Sequence, residues 1–393
     1  MKHKFTLVSA FLAATSFLMG EIVVNDVLSY EGFVDTSYTY LDADGENDNN
    51  FSVEEVEISW LFDFNPITAR IDIEYEENAN DLEVERAYIV YDFGEKCENS
   101  SLTVGRYASM LAFEAYEPTG LYQYTNAYGY SLSGFAVQAG GNIYADSELS
   151  VFLNSIFFPV GERYSQGIRY TYEDEKSFFG FALQDGTLNY ENRLGGDSSA
   201  DSTAVDDGGY GFEIAYAYEC SSDFSIFVGG SYEIGDGVNY STATSGTNFT
   251  TGNTETYIFN TYATYELGAW LFAVELNFSE TFIDDIDNLG SADAEVDSLT
   301  GLIMANYAYN DSASVTGRIS WMDTTFDAAN ASEVDGNALK YTIAHNYAFL
   351  DNLIFITEFS YLNGNFDVDG NSVIASDGHL EELFLAGQMI FTF

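Results

Sequence analysis

An alternation of period two recurs from one end of this chain to the other. Tyr210, Phe212, Ile214, Tyr216 and Tyr218 interleave with Gly211, Glu213, Ala215, Ala217 and Glu219, and Trp270, Phe272, Val274, Leu276 and Phe278 with Leu271, Ala273, Glu275, Asn277 and Ser279. Earlier, Val56, Ile58, Trp60 and Phe62 oppose Glu55, Glu57, Ser59 and Asp63, and Ile71, Ile73 and Tyr75 oppose Arg70, Asp72, Glu74 and Glu76. Successive side chains of a strand point to opposite faces, so each segment has one apolar and one wet face. A soluble sandwich would turn the apolar face inward and leave the acids to solvent. Acids this dense fit better the lumen of a barrel whose apolar face meets lipid. Composition agrees: 30 tyrosines, 32 phenylalanines and only three prolines favour strands, and aromatics in that number suit the two girdles of a membrane barrel.

The fold expected is therefore all-β: a transmembrane antiparallel β-barrel with short periplasmic turns and long acidic surface loops. About eighteen segments of roughly ten residues each can be counted, the length of a tilted spanning strand; sixteen is the second count. Short connections fall at Asn65-Pro66, around Gly268, at Asn310 to Ala313 and at Leu350 to Asn352. Long ones fall at 41–50, 185–208, 233–254, 281–297, 323–337 and 362–378, and 78–81 is shorter than the alternation demands.

Lys2 and Lys4 precede an apolar stretch from Phe5 to Met19, the pattern of a secretory signal peptide over residues 1–20, which leaves 21–393 as one barrel domain. After it no stretch approaches the length of a spanning helix. Loss of the two lysines leaves ten bases against 63 acids, a net charge of −53, which excludes nucleic acid as a partner. The last strand places Leu383, Leu385, Met389, Phe391 and Phe393 on one face, and Glu382, Gln388 and Thr392 on the other with Phe384 and Ile390. Such a strand leaves an open edge unless it pairs with the first, which closes the barrel. It resembles the C-terminal targeting strand of bacterial outer-membrane proteins, which typically ends on Phe. That resemblance implies delivery to the barrel assembly machinery through Phe393, and a place in the outer membrane among lipid and lipopolysaccharide.

Between Leu102 and Gly140 the chain carries local motifs. Gly105-Arg106-Tyr107 ends a strand, a segment bearing Glu114 and Glu117 follows, then Tyr124-Thr125-Asn126, then a glycine-containing strand from Ser133 to Gly140. This resembles the OmpL-like β-barrel porins. By analogy with general diffusion porins, residues 108–130 fold into the lumen, with Glu114 and Glu117 contributing charge to a constriction. Arg70, Arg86, Arg106 and Arg169 would line the wall nearby. An acidic loop facing a basic wall sets a transverse field across a pore; the other reading is that these arginines neutralise a crowded acidic interior. The resemblance implies a passive pore for small hydrophilic solutes, assembled as a homotrimer, and an acidic lumen and acidic loops would concentrate cations and so make it cation-preferring. Phosphate selectivity needs more bases than this chain holds. The alternative is a non-conducting structural or adhesive barrel that displays acidic loops.

Other chemistry is weak. Asp42, Asp44 and Asp48, and the Asp367-Val368-Asp369-Gly370 segment, cluster hard oxygens of the kind Ca²⁺ accepts loosely, without EF-hand spacing. No other cofactor is implied. Enzymatic activity is not expected, because only His345 and His379 remain after the signal peptide, with no Gly-x-Ser-x-Gly elbow. Cys97 and Cys220 fall in polar turns on one rim; an oxidising periplasm would allow a disulfide, but about six strands between the turns favour thiols that stay apart.

Overall fold

In the computed structural model the described residues are 20–393 apart from 44–45, 77–80, 95–96, 115–117, 128–163, 186–208, 236–238, 242–247, 251–252, 287–291, 329–332 and 370–377. Sixteen antiparallel strands form one closed wall. They are β1 (Leu28–Ala43), β2 (Glu46–Asp63), β3 (Ile67–Glu76), β4 (Asp81–Asp92), β5 (Ser100–Ala108), β6 (Tyr164–Glu173), β7 (Ser177–Gln184) and β8 (Tyr210–Ser221), followed by β9 (Phe224–Gly235), β10 (Thr254–Leu267), β11 (Trp270–Ile286), β12 (Ala292–Asn310), β13 (Ala313–Ala328), β14 (Glu333–Leu350), β15 (Leu353–Asp369) and β16 (Gly378–Thr392). Each pairs with its sequence neighbours. β16 then closes on β1, from Glu382↔Ala43 to Thr392↔Phe33. A short strand, Ile22–Asn25, folds back on the start of β1, and a hairpin of Asn239–Ser241 with Asn248–Thr250 rises between β9 and β10.

The count is sixteen, not eighteen, and the reason is local. β5 pairs directly with β6, from Ser100↔Tyr172 to Ala108↔Tyr164, so the wall closes without the residues between them. The strand expected at 133–140 lies outside the described residues.

The alternation sets the two faces as the sequence implies. On β8, Phe212, Ile214 and Tyr216 are exposed while Glu213, Ala215 and Ala217 are buried; on β11, Phe272, Val274, Leu276 and Phe278 are exposed while Leu271, Ala273, Glu275 and Asn277 are buried. The exposed residues form the lipid belt, and the buried ones face the lumen. Both termini of the wall, the start of β1 and the end of β16, lie at one rim, and the tight turns 222–223, 268–269, 311–312 and 351–352 lie there too. Gly268 makes one of them with a φ of +62°, a left-handed conformation that costs glycine little. Cys97 and Cys220 are free thiols exposed on this rim. Aromatic pairs ring it: Trp270 stacks on Tyr307 at 4.5 Å, and Tyr309 stacks on His345 and meets its Nε2 at 2.6 Å.

Strand lengths differ around the wall. β7 has 8 residues and β12 has 19. At about 3.3 Å per residue, β12 extends roughly 60 Å along its axis, beyond what the hydrocarbon requires. Part of each connection read as loop at 281–297, 323–337 and 362–378 is thus paired strand. Asp297↔Thr325 and Asp335↔Asp367 continue the ladder past the lipid belt. Ladder hydrogen bonds need no apolar face once water replaces lipid, so these polar sequences still pair.

Candidate pore constriction

The segment that follows β5 turns inward and crosses the lumen about half-way up the wall; its described parts are 109–114 and 118–127. We call it the strap. Its apolar residues Met110, Leu111, Phe113 and Tyr122 are buried with wall residues Tyr107, Phe178, Phe227, Tyr262, Leu271 and Met304. Its polar atoms are anchored by the wall. Glu213 of β8 accepts from Met110 N at 2.7 Å and Ser109 Oγ at 2.6 Å. Asn260 of β10 accepts from Ala112 N at 3.1 Å, and Glu275 of β11 accepts from Phe113 N and Asn260 Nδ2, both at 2.8 Å. Ala112 sits at a φ of +84°, a strained value for a residue with a Cβ.

At its far end the strap meets β13, β14 and β15. Thr316 Oγ1 and Asn346 Nδ2 donate to the Tyr122 carbonyl at 3.1 and 3.0 Å. Glu358 accepts from Thr125 N and Thr125 Oγ1 at 2.9 and 2.6 Å. Arg318 donates to Glu114 at 2.5 Å and to the Asn126 carbonyl at 3.0 Å. Tyr124 reaches further, stacking on Phe384 of β16 and donating to Glu54 of β2 at 3.1 Å.

A second constellation lies on β1–β4. Arg70 donates to Glu31 at 3.0 Å, to Asp72 at 2.8 Å and to Ser59 at 2.8 Å. Arg86 bonds Asp72 and lies 3.0 Å from Glu57 and 3.5 Å from Glu85. Glu57↔Glu74, Ser59↔Asp72 and Asp72↔Arg86 run side by side across three strands, and Glu57 lies three residues along β2 from Glu54, which Tyr124 of the strap reaches. The two guanidinium side chains keep 20% and 13% of their surface exposed, Glu31 keeps 17%, and Glu57 and Asp72 are sealed beneath them. Four carboxylates therefore surround two guanidiniums, an excess of negative charge on this side of the lumen.

The residues expected from the sequence divide accordingly. Arg70 and Arg86 come together in the lumen. Arg169 also faces inward, its guanidinium 4.4 Å from the Tyr107 ring and donating to the Ala108 carbonyl at the root of the strap. Glu114 lies in the strap but pairs with Arg318, not with the arginines of β3 and β4. Arg106 does not join them. It takes the register of Val104, which is exposed on the lipid side, donates to the Val84 carbonyl at 3.0 Å and lies over Tyr164. Glu117 lies outside the described residues. Arg318, Lys340 and Glu358 were not singled out by sequence, although their alternation with apolar neighbours marks them as inward-facing.

Asp42 and Asp48 lie on facing arms of the β1–β2 hairpin, opposite Asn47 and Leu41, and Asp44 lies outside the described residues. Among the described residues the carboxylates that converge are Glu57, Asp72 and Glu85 on the wall and Glu280, Glu295 and Asp297 above the lipid belt.

A closed sixteen-stranded wall with a lipid-facing belt, two-residue turns at one rim and an inward-folded segment after the fifth strand defines an outer-membrane barrel of porin type. The chain belongs to the family described as "Putative beta-barrel porin-2, OmpL-like", which it matches over residues 151–393. No curated protein matches it. Solved structures share the fold at low identity. They include the outer-membrane expressed OmpT of Vibrio cholerae (12% identity, TM-score 0.57, covering 95% of this chain and 100% of that one) and the outer membrane channel DcaP of Acinetobacter baumannii (12%, 0.54, 96% and 100%). Salmonella typhi OmpF, solved in complex with daunomycin, is also similar (14%, 0.50, 95% and 100%). The location is the bacterial outer membrane.

Proposed function

We propose that this barrel is a passive, cation-preferring pore for small hydrophilic solutes, with its constriction between the strap and the β1–β4 wall. The observation that carries this reading is the excess of carboxylates over guanidiniums around Arg70 and Arg86, on the wall that Tyr124 of the strap reaches at Glu54, in a lumen that holds further acids at Asp35 and Glu74. Fixed negative charge in a narrow passage raises the local concentration of cations and repels anions. The charges act by position and need no cofactor, and the acids of the 42–48 hairpin would at most hold Ca²⁺ loosely. We infer no enzymatic step: His345 stacks on Tyr309 at the turn rim, and His379 meets Asn365 Oδ1 at 2.9 Å on an exposed edge.

Liposome swelling tests the reading. Vesicles containing the refolded mature protein should admit small sugars and amino acids at rates that fall with solute size, and vesicles that stay impermeable would overturn it. The apolar packing of Met110, Leu111, Phe113 and Tyr122 favours the second reading, a plugged structural or adhesive barrel, which is the outcome impermeability would support. Other parts of the account are proposals of the same standing: removal of residues 1–20 as a signal peptide, delivery to the barrel assembly machinery through the strand ending at Phe393, and contact with lipopolysaccharide. Homotrimer assembly is supported by the trimer form in which V. cholerae OmpT has been solved.

A further inference from the structure

We propose that Arg318, Lys340 and Glu358 are the positioning residues of the constriction, a charged clasp on the wall that fixes how far the strap closes the lumen. The inference rests on the porin reading above. The three side chains lie on adjacent strands and are 2%, 7% and 3% exposed. They converge on Thr125 and Asn126 of the strap, and Arg318 also on Glu114. Glu358 takes the Thr125 N–H and hydroxyl; Lys340 Nζ meets Thr125 Oγ1 at 2.7 Å and the Asn126 carbonyl at 3.2 Å; Arg318 meets that same carbonyl at 3.0 Å and Glu114 at 2.5 Å. Glu114 in turn accepts from Ala127 N at 2.6 Å and Gln123 Nε2 at 2.7 Å, and Ser320 donates to the Ala127 carbonyl at 3.0 Å.

Two features make this a lock and not incidental packing. Most strap atoms held are backbone atoms, with Glu114 and Thr125 the main side-chain contributors, so the wall dictates the strap's path more than the strap's own sequence does. Withdrawing the strap would also take Glu114 from two buried cations that lie side by side, leaving Glu358 and, further off, Glu382 to balance them. An uncompensated buried charge is strongly disfavoured, which keeps the strap seated. The near end is held differently, by Glu213 and Glu275 receiving backbone N–H groups, with Arg169 donating only to the Ala108 carbonyl at its root.

Charge-balanced pairs test the clasp without stranding a charge: Glu114→Gln with Arg318→Met, and Lys340→Met with Glu358→Gln. In planar bilayers each pair should raise single-channel conductance about two-fold and admit larger polymers, because the aperture widens. Independently of conduction, Ala127→Cys in a Cys97→Ser, Cys220→Ser background should react with a hydrophilic maleimide at least about ten-fold faster when either pair is present, because Ala127 is fully buried in the seated strap. Folded pair variants with wild-type conductance and wild-type labelling would overturn the proposal, as would failure of both pairs to fold, which would make the residues structural. A silent wild type with accelerated labelling in the variants would instead sink the porin reading and leave the clasp standing.

Discussion

Arg86 ties the β2–β4 wall together, because it bonds Asp72 and faces Glu57 and Glu85 at once. Replacing it by Met leaves Glu57 and Asp72, both sealed from solvent, to share Arg70. Breaking a buried pair from one side costs about 3 to 5 kcal/mol, so Arg86→Met should lower unfolding stability in urea by roughly 3 kcal/mol, and by more than Glu85→Gln, which gives up one ion pair at 3.5 Å and keeps a polar side chain of the same shape. Equal losses would mean that the cluster is not organised around Arg86. At Gly32 the demand is steric. An added Cβ would lie 2.4 Å from the Glu57 carbonyl and 2.8 Å from the Phe393 ring, at the point where Gly32 and Phe393 exchange backbone hydrogen bonds of 2.9 Å. Gly32→Val should therefore deplete the folded, heat-modifiable band on a gel, and undiminished folding would show that the seam tolerates a side chain there. Parity alone identified Arg70 as inward-facing because Arg70 sits among acids in an alternating run. Arg318 and Lys340 alternate just as clearly, but their partners at 114–127 lie some 190 to 215 residues earlier in the chain, and no local pattern records that contact.

At the level of elements, lipid contact and lumen contact are separated by a single residue step. Val274 and Glu275 are adjacent, yet one is 42% exposed on the belt and the other 1% exposed within. Val274→Arg should destabilise the barrel by about 2 to 4 kcal/mol, the cost of a cation on the lipid face near the midplane. A cysteine at 275 should react with water-soluble thiol reagents only as far as the strap admits them, and never from the lipid side. Labelling of position 275 by a lipid-phase probe would contradict the register. The faces of the strands were legible because alternation reads them directly. Strand lengths were less so: Asp, Asn, Ser and Thr at 281–297 and 323–337 look like loop, and only the cross-strand partner reveals that they pair. The strap was placed through its family resemblance, since 108–130 lacks the alternation that marks a wall strand.

The molecule as a whole is a closed wall whose seam joins the first strand to the last, as the amphipathic pattern of 380–393 and its open-edge liability require. The direct β5–β6 pairing brings the count to sixteen. Closure encloses a lumen in which the strap covers one side and the charged cluster of β1–β4 lines the other. If that cluster sets the selectivity, neutralising its acids should act on ion preference more than on conductance. The most direct test is the reversal potential of single channels under a KCl gradient, for the wild type and for Glu31→Gln. The account predicts discrete steps with a reversal potential favouring K⁺ and a weaker preference in the variant. Steps that favour Cl⁻, or a correctly folded barrel that never conducts, would contradict it.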